Sequence, residues 1–234
     1  MLQACFILLT LLLAIILYLM AVNVSLKAIN DPGKQRSFIR KTALILICWL
    51  VYISALSVTG IFSITAFPPR IPLLLVSPAF AFIIYFFTNK RFKNIIALTP
   101  PAWPVYFQSF RVIVELLIWG LFMKGIFPQS ATFEGHNFDI LIGLTAPFVA
   151  YYTFTKARLG KVIFKLWNIA GLSTLVIIVS IIMRHAYFPS MQNNPENVLI
   201  KGFGTFPYTF LAGLFMPLAV FMHIFSLIKI RKTV

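Results

Sequence analysis

The residues with the most chemistry in them are an arginine and a glutamate four positions apart, Arg111 and Glu115, inside a mostly apolar run from Val105 to Phe127. On a helix that spacing puts both side chains on one face, close enough to pair. Gln108 lies on the same stripe, three residues before Arg111. Ionisable groups in such a segment are costly, and where they occur they face a bundle interior or a water-filled cavity. Glu115 can titrate or receive a cation there, and Arg111 can hold a carboxylate or phosphate. The competing reading is a neutralised brace that fixes how the helix packs.

Other polar side chains reach the same layer. Asn168 in the sixth apolar segment and His223 in the seventh fall at the depth of Arg111, with Ser226 a turn beyond His223. A cavity lined by Gln108, Arg111, Glu115, Asn168 and His223 is the candidate site for a substrate or ion. The densest polar cluster in the chain is Glu134–Gly135–His136–Asn137–Phe138–Asp139. Asn137 suits the cap of the helix that follows, and Asp139 in its first turn suits the positive end of the helix dipole. The same segment offers an alternative outer cation site from Glu134, His136, Asp139 and His185. The ligand types suit zinc, but the spacing matches no metal motif, so no metal is assigned.

Several chemistries find no support. The last apolar segment has no lysine for retinal, and His223 is alone inside a span, without the facing histidine a bis-histidine haem needs. There is no G-x-S-x-G, P-loop or dinucleotide fingerprint. Cys5 and Cys48 stand in apolar runs without a spacing partner and read as small hydrophobes. No cofactor and no catalytic residue is assigned.

The elements that position these groups follow from composition. The chain is 60% hydrophobic and 11% charged, with a mean hydropathy of +0.94. A soluble domain of this size carries about 25% charged residues. Seven uncharged or nearly uncharged runs are each long enough to cross a bilayer: about Leu2–Val24, Thr42–Thr65, Ile71–Thr88, Val105–Phe127, Phe138–Thr155, Leu166–Tyr187 and Phe206–Ile228. The expected fold is an all-α membrane bundle of seven transmembrane helices, one domain over residues 1–234. Met1 to Leu26 lack the charged start of a signal peptide, so the first segment is expected to remain as a helix.

Orientation follows from the basic residues. Lys27, Lys34, Arg36, Arg40, Lys41, then Lys90, Arg91, Lys93, then Lys156, Arg158, Lys161, Lys165, and finally Lys229, Arg231, Lys232 all fall on one side. Arg70, Lys124, Arg184 and Lys201 fall on the other. The basic side is cytoplasmic, so the N-terminus is expected outside and the C-terminus inside. The net charge of +15 is then explained by loops that meet anionic lipid head groups, and nucleic acid is not an expected partner. A homo-oligomer or a partner subunit stays open. Pro78, Pro147 and Pro217 interrupt three of the spans. A mid-helix proline leaves the carbonyl four residues back without its N–H, which is Gly143 for Pro147 and Gly213 for Pro217. The longest outer connection, about His185 to Thr205, holds Pro189, Asn193, Asn194 and Pro195 and reads as a turn-rich loop or lid.

The runs Phe67–Pro68–Pro69–Arg70, Phe110–Arg111 with Glu115, Phe133–Glu134–Gly135–His136–Asn137–Phe138–Asp139–Ile140, and Trp167–Asn168 together resemble a family of bacterial seven-helix inner-membrane proteins to which no function is attached. The resemblance spans most of the chain and implies a multi-pass protein of the bacterial inner membrane. The residues themselves favour a transporter or channel handling a small solute or ion at the fourth span. A membrane-embedded enzyme with an outer site near His136 and Asp139 is one alternative. A structural or sensor subunit, in which Arg111 and Glu115 are only a packing brace, is another.

Overall fold

The computed structural model describes residues 1–63, 67–188 and 202–230. Its described residues are helical and contain no strand. α1 (Leu2–Ala28) meets its first charge at Lys27. α2 (Pro32–Val58) begins well before the expected Thr42, because Asp31 caps it. The Asp31 carboxylate accepts the Lys34 N–H at 2.8 Å, and Pro32 takes the first helical position, a strong start signal. Lys34, Arg36, Arg40 and Lys41 therefore ride on helical turns and not on a loop.

A π-helical turn, Pro72–Val76, leads into α3 (Ser77–Thr88). Asn89 ends α3 and caps the next turn through its side chain, and the chain bends by 67° into Lys90–Leu98, which includes α4 (Lys93–Leu98). α5 (Trp103–Phe107) and α6 (Phe110–Met123) form one slightly broken span, closed by Gly125 at φ 70°. α7 (Asp139–Ala150) continues through a second π turn, Tyr151–Thr155. α8 (Lys161–Tyr187) follows, and a third π turn, Leu211–Phe215, opens α9 (Met216–Ile230). The outer loop residues Pro189, Asn193, Asn194, Pro195 and Lys201 lie outside the described residues, as do Arg231 and Lys232.

Five of these helices are long and apolar enough to cross a membrane: Leu2–Ala28, Pro32–Val58, Trp103–Met123, Lys161–Tyr187 and Leu211–Ile230. The bent pair Pro72–Thr88 and Lys90–Leu98 makes a sixth if it counts as one. Their apolar side chains are largely on the outside. Leu8, Leu11, Leu12, Ile15 and Leu19 of α1 are exposed, as are Leu44, Ile45, Ile47 and Val51 of α2 and Val162, Ile163, Leu166, Ile169 and Val176 of α8. Water would not tolerate so much contiguous apolar surface; a lipid environment removes that cost. The chain is an integral membrane protein with several spanning helices.

The interior is built on α6 and α9, with Phe6, Leu13, Ile53, Leu75, Leu121 and Phe215 fully buried around them. The prolines explain how the elements interlock. Each π turn that precedes a proline-bearing helix stops two residues before the proline, at Val76 ahead of Pro78 and at Phe215 ahead of Pro217. The carbonyls those prolines release are Leu74 and Gly213. Both find donors on α2: Tyr52 donates its hydroxyl to Leu74 O at 3.0 Å, and Trp49 donates Nε1–H to Gly213 O at 2.9 Å. The two rings stack on each other with centroids 5.4 Å apart. Pro147 is handled by proximity: a Cβ on Gly143 would lie 2.8 Å from the Val112 backbone nitrogen, so glycine there lets α7 lie directly on α6.

Candidate functional site

The face of α6 that carries Arg111, Glu115 and Trp119 meets one partner segment in order. Trp119 donates Nε1–H to Glu134 Oε1 at 3.0 Å, Asn137 donates Nδ2–H to Glu115 Oε2 at 2.7 Å, and Arg111 pairs with Asp139. Reading backward along α6 thus reads forward along the chain from Glu134 to Asp139. The connection expected at the outer surface folds back alongside α6, and α7 starts beside Arg111. Its backbone is satisfied by local turns: Gly135 and Asn137 both donate their N–H to Thr132 O, and His136 donates to Ser130 O.

Arg111 is the centre of a closed network. Nε–H donates to Asp139 Oδ2 at 2.7 Å, and Nη2 donates to Asp139 Oδ1. Nη2 also reaches Gly171 O at 3.1 Å and Thr174 Oγ1 at 2.9 Å, and Nη1 donates to His223 Nε2 at 2.7 Å. Thr174 in turn donates to Asp139 Oδ1 at 2.6 Å. A guanidinium has five N–H groups and accepts nothing, so nearly all of its donors are taken by protein. Because arginine can only donate, His223 Nε2 must be the acceptor. His223 Nδ1 therefore carries the hydrogen and donates to Asn168 Oδ1 at 2.9 Å, while Asn168 Nδ2 donates to Phe164 O at 2.9 Å. The ring is held in one neutral tautomer.

The expected partner of Arg111 was Glu115, and the structure corrects this. The ion pair among the described residues is Arg111 with Asp139. The neighbour along one helix loses to a carboxylate from another because Asp139 meets the planar guanidinium two oxygens to two nitrogens. Glu115 accepts from Asn137 and contacts no cation among the described residues. It is 1% exposed, as is Arg111.

Glu115, Arg111 and Asp139 form the polar end of a cavity of about 340 Å³. Apart from Tyr187, the rest of its wall is apolar, including Phe110, Ile118, Leu175, Ile178, Phe215 and Met216. Of the five residues expected to share one cavity, Arg111 and Glu115 line it. Asn168 and His223 stand behind Arg111 in the network. Gln108 is fully buried and turns to α9, donating Nε2–H to Ala219 O at 3.0 Å, with Oε1 left without a partner.

The outer cation site does not assemble. Asp139 is committed to Arg111, Glu134 to Trp119, and His185 bonds through Nδ1 to Ile181 O on its own helix, while His136 is exposed. Among the described residues no three His, Cys, Asp or Glu side chains converge. Asn137 does not cap α7 either, whose cap position is Phe138. Its Oδ1 accepts the Asp139 N–H at 3.1 Å, and its amide spans Glu115 and Ala131 O. Sequence reasoning missed Thr174 and Gly171. Gly171 lies three residues and Thr174 six residues on from Asn168, which marks one stripe of α8 and was the available signal.

Comparison with known proteins adds no relative: no family model, curated protein or solved structure matches the chain.

Proposed function

We propose that this chain is a membrane transporter of a small solute, which it holds in the cavity beside α6 with Glu115 as the polar contact. The observation that carries the reading is a buried carboxylate on a largely apolar cavity that forms no ion pair among the described residues, because the neighbouring Arg111 is paired with Asp139. An uncompensated buried charge is costly, and the fold could have removed it with an amide. Arg111 is not that contact, because Asp139, Thr174, Gly171 and His223 already hold it. A carrier fits better than an ion channel, since the wall offers few oxygens to replace a hydration shell.

The proposed topology is seven crossings of the inner membrane, with the N-terminus outside and the C-terminus in the cytoplasm. It is supported by fifteen basic residues on one side against four on the other and by helix in all seven expected segments. The segment Asp139–Thr155 is short for a span because it starts partway down α6. Non-helical backbone at membrane depth is tolerated where protein buries it, as Asn137 and Thr132 are buried here.

The test uses purified protein in vesicles and a panel of labelled small solutes. Glu115→Gln should abolish uptake while leaving unfolding nearly unchanged. Arg111→Met with Asp139→Leu, which replaces the brace with apolar groups, should keep uptake. Full uptake by Glu115→Gln would refute the assignment.

A further inference from the structure

The cavity has a chemical asymmetry that specifies its occupant. Three charged groups sit at one end, and Arg111 with Asp139 cancels as a pair. What remains is the Glu115 carboxylate. An anionic ligand would place a third negative group beside Glu115 and Asp139, with almost no free donor on Arg111 to receive it. A neutral polar ligand would leave the carboxylate uncompensated. A cation compensates it, and the apolar wall requires that the cation carry an apolar body.

The route in has a chemistry as well. On one side the wall is made of Val76 from the π turn before α3, Val179 and Met183 from α8, and Met216 from α9. All four are half-buried, as are the lining residues Pro72 and Ile182 beside them, so this side of the wall is also part of the molecular surface. The surface just outside is apolar and exposed, with Leu73 next to Val76 and with Val176 and Ile177 next to Val179. In a membrane protein such a surface faces lipid tails, and a solute passing it comes from the bilayer.

We infer that the ligand is an amphiphilic amine, taken from the bilayer between α8 and the π turn ahead of α3, with its ammonium on Glu115 and its apolar body along α8 and α9. This rests on the reading of Glu115 as the solute contact and names the solute class. About 340 Å³ is at the small end of ligand pockets, roughly 300–1,000 Å³, which suits one alkyl or aryl amine and not a two-chain lipid.

The test is equilibrium binding of radiolabelled decylamine to the full chain in nanodiscs, competed by decanol and by decanoate. The three share a body and differ in head charge, so no variant is needed. Saturable decylamine binding is expected, with decanol at least about tenfold weaker, the usual worth of a charge-assisted contact, and with no competition from decanoate. Glu115→Gln should weaken decylamine by at least about tenfold. A decylamine bearing a diazirine at its tail should label Val179, Met183 or Met216. Decanoate competing as well as decylamine, or labelling spread evenly over α1 and α2, would overturn the inference. Amine binding with these preferences but without flux would refute transport and leave the site standing. Uptake of a solute that decylamine does not inhibit would overturn the amine and leave transport standing.

Discussion

Asp139→Asn and Glu115→Gln make the same chemical change, acid to amide, in two buried carboxylates on one cavity, and they should differ widely in cost. Asp139 receives Arg111 Nε–H at 2.7 Å, a second guanidinium N–H, and the Thr174 hydroxyl at 2.6 Å. Asparagine keeps one oxygen but points an NH₂ at a guanidinium, so one charge-assisted bond is lost and a buried positive charge is left without its counter-ion. Such bonds are worth about 1.5–3 kcal/mol each, and breaking a buried pair from one side costs about 3–5 kcal/mol. Glu115 receives one side-chain bond, from Asn137 Nδ2 at 2.7 Å. Glutamine keeps that bond through its carbonyl, and no cation is stranded, so the change should stay within about 1 kcal/mol. The assay is unfolding of purified protein in one detergent, by denaturant and by heat. Asp139→Leu with Arg111→Met should recover most of what Asp139→Asn loses. If Glu115→Gln destabilises as much as Asp139→Asn, Glu115 is part of the brace and the division between the two carboxylates is wrong.

Gly171→Ala would set a Cβ 2.3 Å from the His223 ring and 3.2 Å from Arg111 Nη1, so the ring must move off the guanidinium. A loss of about 1–3 kcal/mol, typical of overpacking, is expected in the same unfolding assay, and no loss would place His223 elsewhere. Trp49→Phe and Tyr52→Phe remove the donors to Gly213 O and Leu74 O. Each should cost about 1–2 kcal/mol for a buried carbonyl left without a partner. Thr174→Val removes one inter-helix hydroxyl contact and should cost about 0.6 kcal/mol, the average for such bonds between membrane helices. For topology, single cysteines placed at Arg36, Lys124 and Arg158 in a chain without Cys5 and Cys48 should divide by side. A membrane-impermeant maleimide added to intact cells should label Lys124→Cys and spare the other two.

The all-helical character and the long apolar helices were legible because hydropathy and proline chemistry are local, while five helices, or six with the bent pair, pass as spans where seven were expected. The α6 stripe of Gln108, Arg111 and Glu115 is visible as spacing alone, and the carbonyl released by Pro217 is Gly213 by arithmetic, as Trp49 confirms. The boundaries that slipped are those set by a side-chain cap. Asp31 starts α2 early, and Asn89 closes α3 and turns the chain. The partner of Arg111 was hidden for a different reason. Asp139 follows a stretch rich in Ser, Thr, Glu, Gly and His, whose composition reads as a surface connection. Thr132, Glu134 and Asn137 in it are in fact bonded within the segment and to α6, and no periodicity records that. Helix spacing finds neighbours on one element, whereas a contact between Arg111 and Asp139, 28 residues apart, is a property of the folded chain.

One signal in the composition does bear on the question of site or brace. The chain has five acidic residues against twenty basic ones, yet two of the five, Glu115 and Asp139, are buried beside the same arginine. A brace needs one carboxylate per guanidinium. Asp139 meets that need with two oxygens on two nitrogens, and Thr174, Gly171 and His223 complete it. The second carboxylate therefore has no structural debt to Arg111. Asn137 orients it toward the cavity and gives it one neutral hydrogen bond, which an amide would accept as well. In a chain so short of acids, a buried one that packing does not require is best explained by what enters the cavity. On this reading the brace and the proposed site both lie on α6, one turn apart, and they are different residues.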